Sequence, residues 1–380
     1  MKPATTKQFI PVCEPTLRGK ELEYVTDAVN SGWISSAGKY IIDFEEKFSK
    51  YCGVKYGASC SNGTKAIHLA LMAVGIKAGD EVILPSFTMI GSCNPIVQIG
   101  AKPVFVDSEL KTWNMDTEQI ENKITSKTKA IMVVHIYGHP VDMDVVLKIA
   151  RKHNLIVIED AAEAHGAEYK GRKAGSLGDI ACFSFYANKI ITTGEGGMVV
   201  TNNEKWAERA KKLRNHFFGE PRFLHQEVGY NYRLTNLQAA IGLAQLERIE
   251  ELVGARRKNA KLYNSLLKEI PGIQLPAEES WVKNVYWMYG LVVDQQKFGL
   301  SMPELRKKLE EKSIETRTFF IGMHKQPAYA HLGVQGSFPN TEYLEKNGLY
   351  LPSSSHLKQE EIQHIAAVIK EIHEEYKNNK

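Results

Sequence analysis

The chain has 380 residues, of which 43% are apolar and 24% charged, and its formal net charge is +4. This length exceeds what one ordinary hydrophobic core fills, so we expect two domains, with the larger one well buried. The basic residues are scattered and no apolar run reaches the ~20 residues of a membrane span, which excludes nucleic-acid binding and membrane insertion as leading functions.

The first predicted helix lies near the N-terminus, where Leu22, Val25 and Val29 recur at helical spacing before Gly32. The middle of the chain then alternates strand and helix signals, which predicts an α/β fold with a mainly parallel sheet covered on both faces. The helical runs include 64–75 and 141–154. The predicted strands are 81–85, 102–107, 130–135, 155–160, 180–185 and 197–201.

An apolar, alanine-rich stretch at 234–252 predicts a helix buried in the core or at a subunit interface. After it the alternation stops, and a smaller α+β domain is expected, with strands near 288–293 and 316–320. An amphipathic helix closes the chain through Ile362, Ile365, Ile369, Ile372 and Tyr376. The predicted divisions are an N-terminal arm (1–15), a large domain (16–255) and a small C-terminal domain (256–380).

The segment SCSNGTKAIHLAL at 59–71 has a turn of small residues that opens a helix. The free N–H groups and the positive dipole end of a helix start suit a phosphate. Gly63 lets the backbone approach such a group, and Thr64 adds a hydroxyl. A plain helix N-cap explains the same residues. Neither the Walker nor the Rossmann glycine pattern occurs in the chain.

Asp160 ends the apolar strand sequence LIVIED. A carboxylate in that position is poorly solvated and needs a cation or good hydrogen-bond donors. Glu163 follows three residues later and can reach the same space. Two alternatives stay open: Asp160 can cap a helix beginning at Ala161, and Glu163 can be its capping-box partner.

Lys189 follows the apolar run 180–185 and precedes a turn rich in threonine and glycine, although lysine is usually solvated. In a partly dry pocket a lysine binds its proton less tightly and becomes a usable nucleophile or base. Ser184, at the end of the preceding strand, can add a hydroxyl donor. Taken alone, Lys189 is better explained as a salt-bridge residue.

These three features match the parts of one molecule, pyridoxal phosphate. Its phosphate matches the turn at Gly63, its ring nitrogen matches Asp160, and its aldehyde matches Lys189. In this hypothesis Asp160 keeps the ring nitrogen protonated, while Lys189 forms a Schiff base and later shuttles a proton.

Four segments together resemble the sugar-nucleotide aminotransferases of fold type I, the DegT/StrS family. The likeness extends from residue 32 to the C-terminal helix. It implies the fold of PLP-dependent transferases of type I, with a mostly parallel seven-stranded sheet in the large domain. The segments are SNGTKAIHLAL (61–71), VIEDAAEAHGA (157–167), SFYANKIITTGEGGMV (184–199) and GYNYRLTNLQAAIGLAQLERI (229–249).

The resemblance also implies residue roles. Lys189 would carry the cofactor, Asp160 would meet the pyridine nitrogen, and Glu163 would lie near the phenolic oxygen. Asn231 would reach the phosphate held by a neighbouring subunit, which implies a homodimer with shared active sites. His324 would lie near the substrate. The residues expected to hold the phosphate are Gly63, Thr64 and Ser184.

Two positions depart from the family pattern. Met89 stands where the family often has an aromatic residue stacked on the cofactor ring, and a thioether can pack there instead. Ile321 and Gly322 stand where related sequences tend to have His-Pro. The loop 216–228 is expected to face the nucleotide.

Segments 33–41, 129–144 and 188–202 are most similar to family members that convert GDP-4-keto-6-deoxymannose to GDP-perosamine, with L-glutamate as nitrogen donor. Such members serve the biosynthesis of surface polysaccharides such as the lipopolysaccharide O-antigen. The alternatives within the family are 4-aminotransferases of dTDP- or UDP-linked 4-keto-6-deoxy sugars, and 3-aminotransferases.

Two rival functions come from other classes. Asp142 and Asp144 form an Asp-x-Asp triplet, as in metal-dependent glycosyltransferases, although Asp142 also suits a helix cap. A non-catalytic binding protein on the same fold is the other rival. The N-terminus lacks a signal-peptide pattern, and five widely spaced cysteines predict reduced thiols in a cytoplasmic protein.

Overall fold

A seven-stranded sheet organises the larger part of the computed structural model, which describes residues 9–334 and 336–378. The strands in these described residues are β1 Tyr56–Cys60, β2 Glu81–Pro85, β3 Lys102–Val106, β4 Thr128–Val134, β5 Ile156–Asp160, β6 Glu168–Tyr169, β7 Arg172–Lys173, β8 Ile180–Ser184, β9 Gly197–Thr201, β10 Ile273–Gln274, β11 Val282–Lys283, β12 Tyr289–Val293, β13 Arg317–Thr318 and β14 Gly348–Leu351.

The helices lie on both faces of this sheet and in the smaller domain. The α-helices are α1 Glu21–Asn30, α2 Lys39–Cys52, α3 Gly63–Ala73, α4 Ile90–Gln98, α5 Met143–His153, α6 Glu204–Leu213, α7 Asn236–Leu246, α8 Ile249–Leu267, α9 Gln295–Phe298, α10 Met302–Glu311, α11 Pro339–Asn347 and α12 Gln359–Asn378. Short 3₁₀ helices are Thr117–Gln119, Glu121–Lys123, Ile136–Gly138, Met323–Lys325 and Pro327–Leu332.

The large sheet has the order β1-β9-β8-β5-β4-β2-β3, and β9 runs opposite to the other six strands of this sheet. Every residue of β2, β8 and β9 is buried, because helices cover both faces. The predicted mostly parallel seven-stranded sheet and the smaller α+β domain are confirmed.

Strand β1 is absent from the strands named by the sequence analysis, because its sequence YGASC has no apolar run. Its small residues reflect close packing against α2. A Cβ atom on Gly57 would lie 2.7 Å from the backbone oxygen of Glu45. The strand pairs along its whole length with β9.

The predicted single helix over 234–252 is wrong in one respect, because the chain forms two helices there. Helix α7 begins with a capping box between Thr235 and Gln238 and packs against α1 and α2. At Arg248 the backbone leaves helical values, with φ −113° and ψ 9°, and α8 begins at the next residue. Helix α8 then continues unbroken across position 255.

The smaller domain contains a four-stranded sheet in the order β10-β12-β14-β13. The N-terminal segment joins it, since Ile10 pairs with the backbone of Ser313 and Glu315, and Val12 accepts a hydrogen bond from Ser353. The first eight residues of the predicted arm lie outside the described residues. Within the described ranges, no helix is both long and apolar enough to cross a bilayer.

Candidate active site

A cavity of about 410 Å³ opens at the carboxyl ends of β5 and β8. Trp287, Phe320 and Tyr350 close it from the side of the smaller domain. Seven of the residues singled out in the sequence line this one cavity. They are Gly63, Thr64, Met89, Asp160, Glu163, Ser184 and Lys189.

The turn at Gly63 lies directly against the end of β8. A Cβ atom on Gly63 would lie 2.6 Å from the Cβ of Ser184, so only glycine lets the two backbones approach this closely. Asn62 caps α3 by accepting the N–H of Lys65 at 3.0 Å. The cap therefore leaves the N–H groups of Gly63 and Thr64 at the helix start for an anionic group.

Asp160 is 5% exposed and points into the cavity from the end of β5. Its Oδ2 accepts the hydroxyl of Ser92 at 2.6 Å, and its Oδ1 accepts the N–H of Ala162 at 3.1 Å. Burial raises the pKa of Asp160, and the bonds from Ser92 and Ala162 oppose that rise. No helix begins at Ala161, so the helix-cap alternative is wrong, although Asp160 does close a turn there.

Glu163 lies beside Asp160, and its Oε2 accepts the backbone N–H of Tyr137 at 2.7 Å. This bond comes from the loop after β4, so the carboxylate does not serve the capping box considered for it. Burial raises the pKa of Glu163 to about 7, and the nearby Lys189 opposes that rise. The cavity thus holds two carboxyl groups that bind protons more tightly than usual.

Lys189 lies in the turn after β8, where its N–H bonds the carbonyl of Tyr186. Its Nζ lies 3.5 Å from the ring centroid of Trp287. Burial lowers the pKa of Lys189, while Glu163 and Asp160 act to raise it. Within the described part of the chain, Nζ forms no ion pair within 4.0 Å, so the salt-bridge alternative does not hold.

Met89 lies at the mouth of the cavity, immediately before α4. Its thioether sulfur accepts the N–H of Gly91 at 2.8 Å, and the residue remains 48% exposed. The sulfur is therefore fixed against the helix start. An apolar side chain thus lines this wall of the cavity.

Asn231 and His324 do not line this cavity. Asn231 is exposed, and its Oδ1 accepts two hydrogen bonds from Arg233 at 2.8 and 2.9 Å. The ring of His324 bonds Ser86 at 2.7 Å and stacks on Phe338 with centroids 4.4 Å apart. Gly322 is required beside it, since a Cβ there would lie 2.6 Å from the His324 ring.

Two residues of the site were not found from the sequence. Ser92 donates to Asp160 and also bonds Thr88 at 2.7 Å, and its spacing four residues after Thr88 is the one local signal for it. Trp287 contacts Lys189 from the smaller domain, and nothing local in its segment indicates that contact.

The Asp-x-Asp triplet is occupied by structural contacts. Asp142 caps α5 and accepts the hydroxyl of Tyr169 at 2.7 Å. Asp144 pairs with Lys170. In the described ranges, no three His, Cys, Asp or Glu side chains are arranged to hold a metal ion.

The lining residues fit pyridoxal phosphate. The helix start at Gly63 has unused N–H groups, and the absence of a side chain there brings it against the end of β8 at Ser184. Asp160 keeps acceptor capacity toward the cavity, and Lys189 offers an amine without a hydrogen-bonded partner among the residues described. A phosphate, a protonated ring nitrogen and an aldehyde each find a matching group.

Comparison with known proteins supports the same interpretation. The model of the DegT/DnrJ/EryC1/StrS aminotransferase family matches residues 15–370. The chain is 45% identical to the GDP-perosamine synthases of Escherichia coli O157:H7 and Caulobacter vibrioides, covering 96% of this chain and 99% and 98% of theirs. The PLP form of the putative sugar aminotransferase Spr1654 from Streptococcus pneumoniae superposes with a TM-score of 0.91 at 28% identity, covering 97% of this chain and 100% of that one.

Proposed function

Because the chain belongs to the DegT/DnrJ/EryC1/StrS aminotransferase family, we propose that it aminates C4 of GDP-4-keto-6-deoxymannose to form GDP-perosamine. The chain is a PLP-dependent sugar aminotransferase, and L-glutamate is the proposed nitrogen donor. The observation that carries the proposal is the meeting of Gly63, Asp160 and Lys189 in one cavity, in a chain 45% identical to two GDP-perosamine synthases.

Bound pyridoxal phosphate supplies an aldehyde that accepts the amino group and a protonated ring that takes up electrons. Gly63, Thr64 and Ser184 would hold the phosphate through the helix start and two hydroxyl groups. The carboxylate of Asp160, which Ser92 fixes in place, would keep the ring nitrogen protonated by its charge. Met89 would offer its apolar side chain to the ring.

Lys189 is the proposed site of covalent attachment and the group that moves protons. Its lowered pKa leaves a larger share of the amine unprotonated at neutral pH, which nucleophilic attack requires. Once released, Nζ can take a proton from one carbon and return it to another. Glu163 sits close enough to influence that proton, and Trp287 and Tyr350 exclude water from one side.

A homodimer with shared active sites is also proposed. Arg233 occupies Oδ1 of the exposed Asn231, which leaves the amide Nδ2 as the donor proposed to reach a second subunit. Helix α1 and the following turn leave large apolar side chains exposed, with Leu22 at 80%, Val29 at 55% and Trp33 at 60%. An apolar surface of this kind suits burial against another chain.

The nucleotide is proposed to lie near the loop 216–228, where Phe223 is 71% and Val228 is 82% exposed. His324 remains proposed as a substrate-side residue, although its ring is already engaged by Ser86 and Phe338. The cytoplasm, where nucleotide sugars are made, is the proposed location, and a surface polysaccharide is the proposed destination of the product.

The decisive experiment incubates the purified protein with L-glutamate and GDP-, dTDP- and UDP-linked 4-keto-6-deoxy sugars. We expect amination of the GDP-linked sugar, with mass spectrometry and NMR placing the new amine at C4. Borohydride reduction should attach the cofactor to the peptide that contains Lys189. The Lys189→Ala variant should show neither amination nor attachment of the cofactor. The control variant Lys268→Ala, at an exposed position, should show both.

Two outcomes would contradict the proposal. Reduction that places the cofactor on another lysine would remove the assigned role of Lys189. Amination of a dTDP- or UDP-linked sugar, or amination at C3, would keep the reaction class and replace the substrate.

A further inference from the structure

Trp287 makes the closest contact between a cation and an aromatic ring in the described part of the chain. The Nζ of Lys189 lies 3.5 Å from its ring centroid. The other pairs of this kind lie between 4.4 and 6.0 Å. A desolvated contact of this type favours the charged ammonium form of lysine.

The indole is fixed in place by its own hydrogen bonds. Trp287 is 4% exposed, and its Nε1 donates to the carbonyl of Asn188 at 2.9 Å. Its backbone N–H donates to Tyr137 at 2.9 Å, and its carbonyl accepts from the buried Arg256. Because Asn188 immediately precedes Lys189, the ring is tied to the same turn that carries the lysine.

Several charged or titratable groups surround Lys189. Asp160 at the end of β5 and Glu163 in the loop after it attract its positive charge, and Cys13 of the N-terminal segment acts in the same direction. Arg256 of α8 repels it, and the buried His165 lies close enough for Lys189 to lower its pKa. Among the residues described, none of these groups pairs with Nζ within 4.0 Å, so the indole face is the nearest partner for the charge.

We propose that Trp287 is a positioning residue that holds the ammonium group of Lys189 on its indole face, away from Asp160 and Glu163, in the cofactor-free enzyme. This inference rests on the proposed role of Lys189 as the attachment residue.

The physical advantage follows from the strength of the two possible partners. A buried lysine paired with Asp160 would occupy the acceptor that the ring nitrogen needs, and buried ion pairs are costly to separate. An indole face attracts an ammonium group more weakly than a carboxylate does, so the amine can leave it. The contact therefore keeps Asp160 open while it restrains Lys189.

The test compares the wild type with Trp287→Leu and Trp287→Phe in the cofactor-free, full-length protein. Each is pulse-labelled with acetic anhydride across a range of pH, and the acetylated fraction of Lys189 is measured by peptide mass spectrometry. Removing the ring face should weaken proton binding by Lys189 about three- to thirtyfold, which moves the labelling midpoint to lower pH. The phenylalanine variant should fall between the other two.

Internal controls come from the same digest. Lys173 lies 4.4 Å from the ring of Tyr51 and Lys65 lies 4.7 Å from that of Tyr232, and their labelling should not change. Circular dichroism reports whether each variant is folded. If the leucine variant does not fold, the phenylalanine variant alone decides, since its midpoint should still shift downward.

A midpoint that stays unchanged or moves to higher pH would overturn the proposal, because Lys189 would then depend on Glu163 or Asp160 instead. Labelling requires neither cofactor nor sugar. The result is therefore separable from the amination assays, and either can fail while the other succeeds.

Discussion

Glu159 and Asp160 are adjacent carboxylates at the end of β5 and lie on opposite sides of the sheet. They differ in how many hydrogen-bond donors surround them. Glu159 is fully buried, and its oxygens accept backbone N–H groups from the loop 175–178 at 2.7 to 2.8 Å. The Nε2 of the equally buried His135 lies 3.0 Å away. Four donors fill the capacity of this carboxylate, so it anchors the loop and can bind nothing else.

Asp160 faces the cavity on the other side and has two donors, Ser92 and Ala162. Burial raises its pKa because its charge is incompletely compensated. Two neighbouring acids in one strand thus show that burial does not by itself make a carboxylate functional. The unfilled acceptor capacity distinguishes Asp160, which is proposed to bind the cofactor, from Glu159, which stabilises the fold.

The largest effect on activity is expected from a substitution of Asp160. Asp160→Asn keeps the shape but removes the charge that holds a protonated nitrogen, so kcat/KM should fall by about a hundred- to a thousandfold. The melting temperature should not fall. Steady-state kinetics and thermal unfolding measure the two quantities, and a variant that retains most of its activity would contradict the assigned role.

The reverse result is expected at Glu159. Glu159→Gln sets an amide N–H against backbone donors, which should lower the free energy of unfolding by about 2 to 3 kcal/mol. The exposed Glu46→Gln is the matched control and should change it little. Urea unfolding measures both variants. A Glu159 variant with normal stability and lost activity would erase the distinction between the two acids.

Glu163 extends the comparison of buried carboxyl groups, because its protonation makes the stability of the protein depend on pH. The folded state binds its proton more tightly than the unfolded chain, since the pKa is raised from 4.5 to about 7. The unfolding free energy of the cofactor-free protein should therefore fall as pH rises between those values, by about 2 to 3 kcal/mol from this group. Glu163→Gln should lose that component, which urea unfolding at pH 5 and pH 7.5 can detect. A Glu163→Gln variant whose unfolding free energy depends on pH as the wild type's does would contradict this prediction.

The smallest effect is expected at Ser92. Ser92→Ala removes the 2.6 Å hydroxyl donor to Asp160, so the pKa of Asp160 should rise further and the cofactor should bind about fivefold more weakly, or ~1 kcal/mol. Absorbance titration with pyridoxal phosphate measures the affinity, with the exposed Ser265→Ala as control. Equal affinities in the two variants would show that Ala162 alone suffices to hold the acid.

The sequence predicts the parts of this molecule that carry a local signal. Strands buried on both faces appear as apolar runs, so β2 and β9 were predicted at their observed bounds. Lys189 and Asp160 stand out because each is a charged residue at the end of such a run. Strand β1 gives no such signal, because its residues are small where the strand packs closely against α2.

Ser92 and Trp287 could not be predicted, because their roles arise from segments far apart in the sequence. Ser92 lies 68 residues before Asp160, and Trp287 lies 99 residues after the carbonyl that it bonds. The different hydrogen-bond partners of Glu159 and Asp160 could not be predicted either. Both acids end the same strand, and only the folded backbone shows which one receives the loop N–H groups.

The pairing of Ile10 and Val12 with residues 313–315 and 353 has a consequence for synthesis on the ribosome. Each of these partners is translated long after the N-terminal segment that pairs with it. The large sheet with Lys189 can thus form while the N-terminal segment still waits for a partner. The cavity wall that Tyr350 forms is therefore translated after the segment that carries Lys189, and until then this side of the cavity is open.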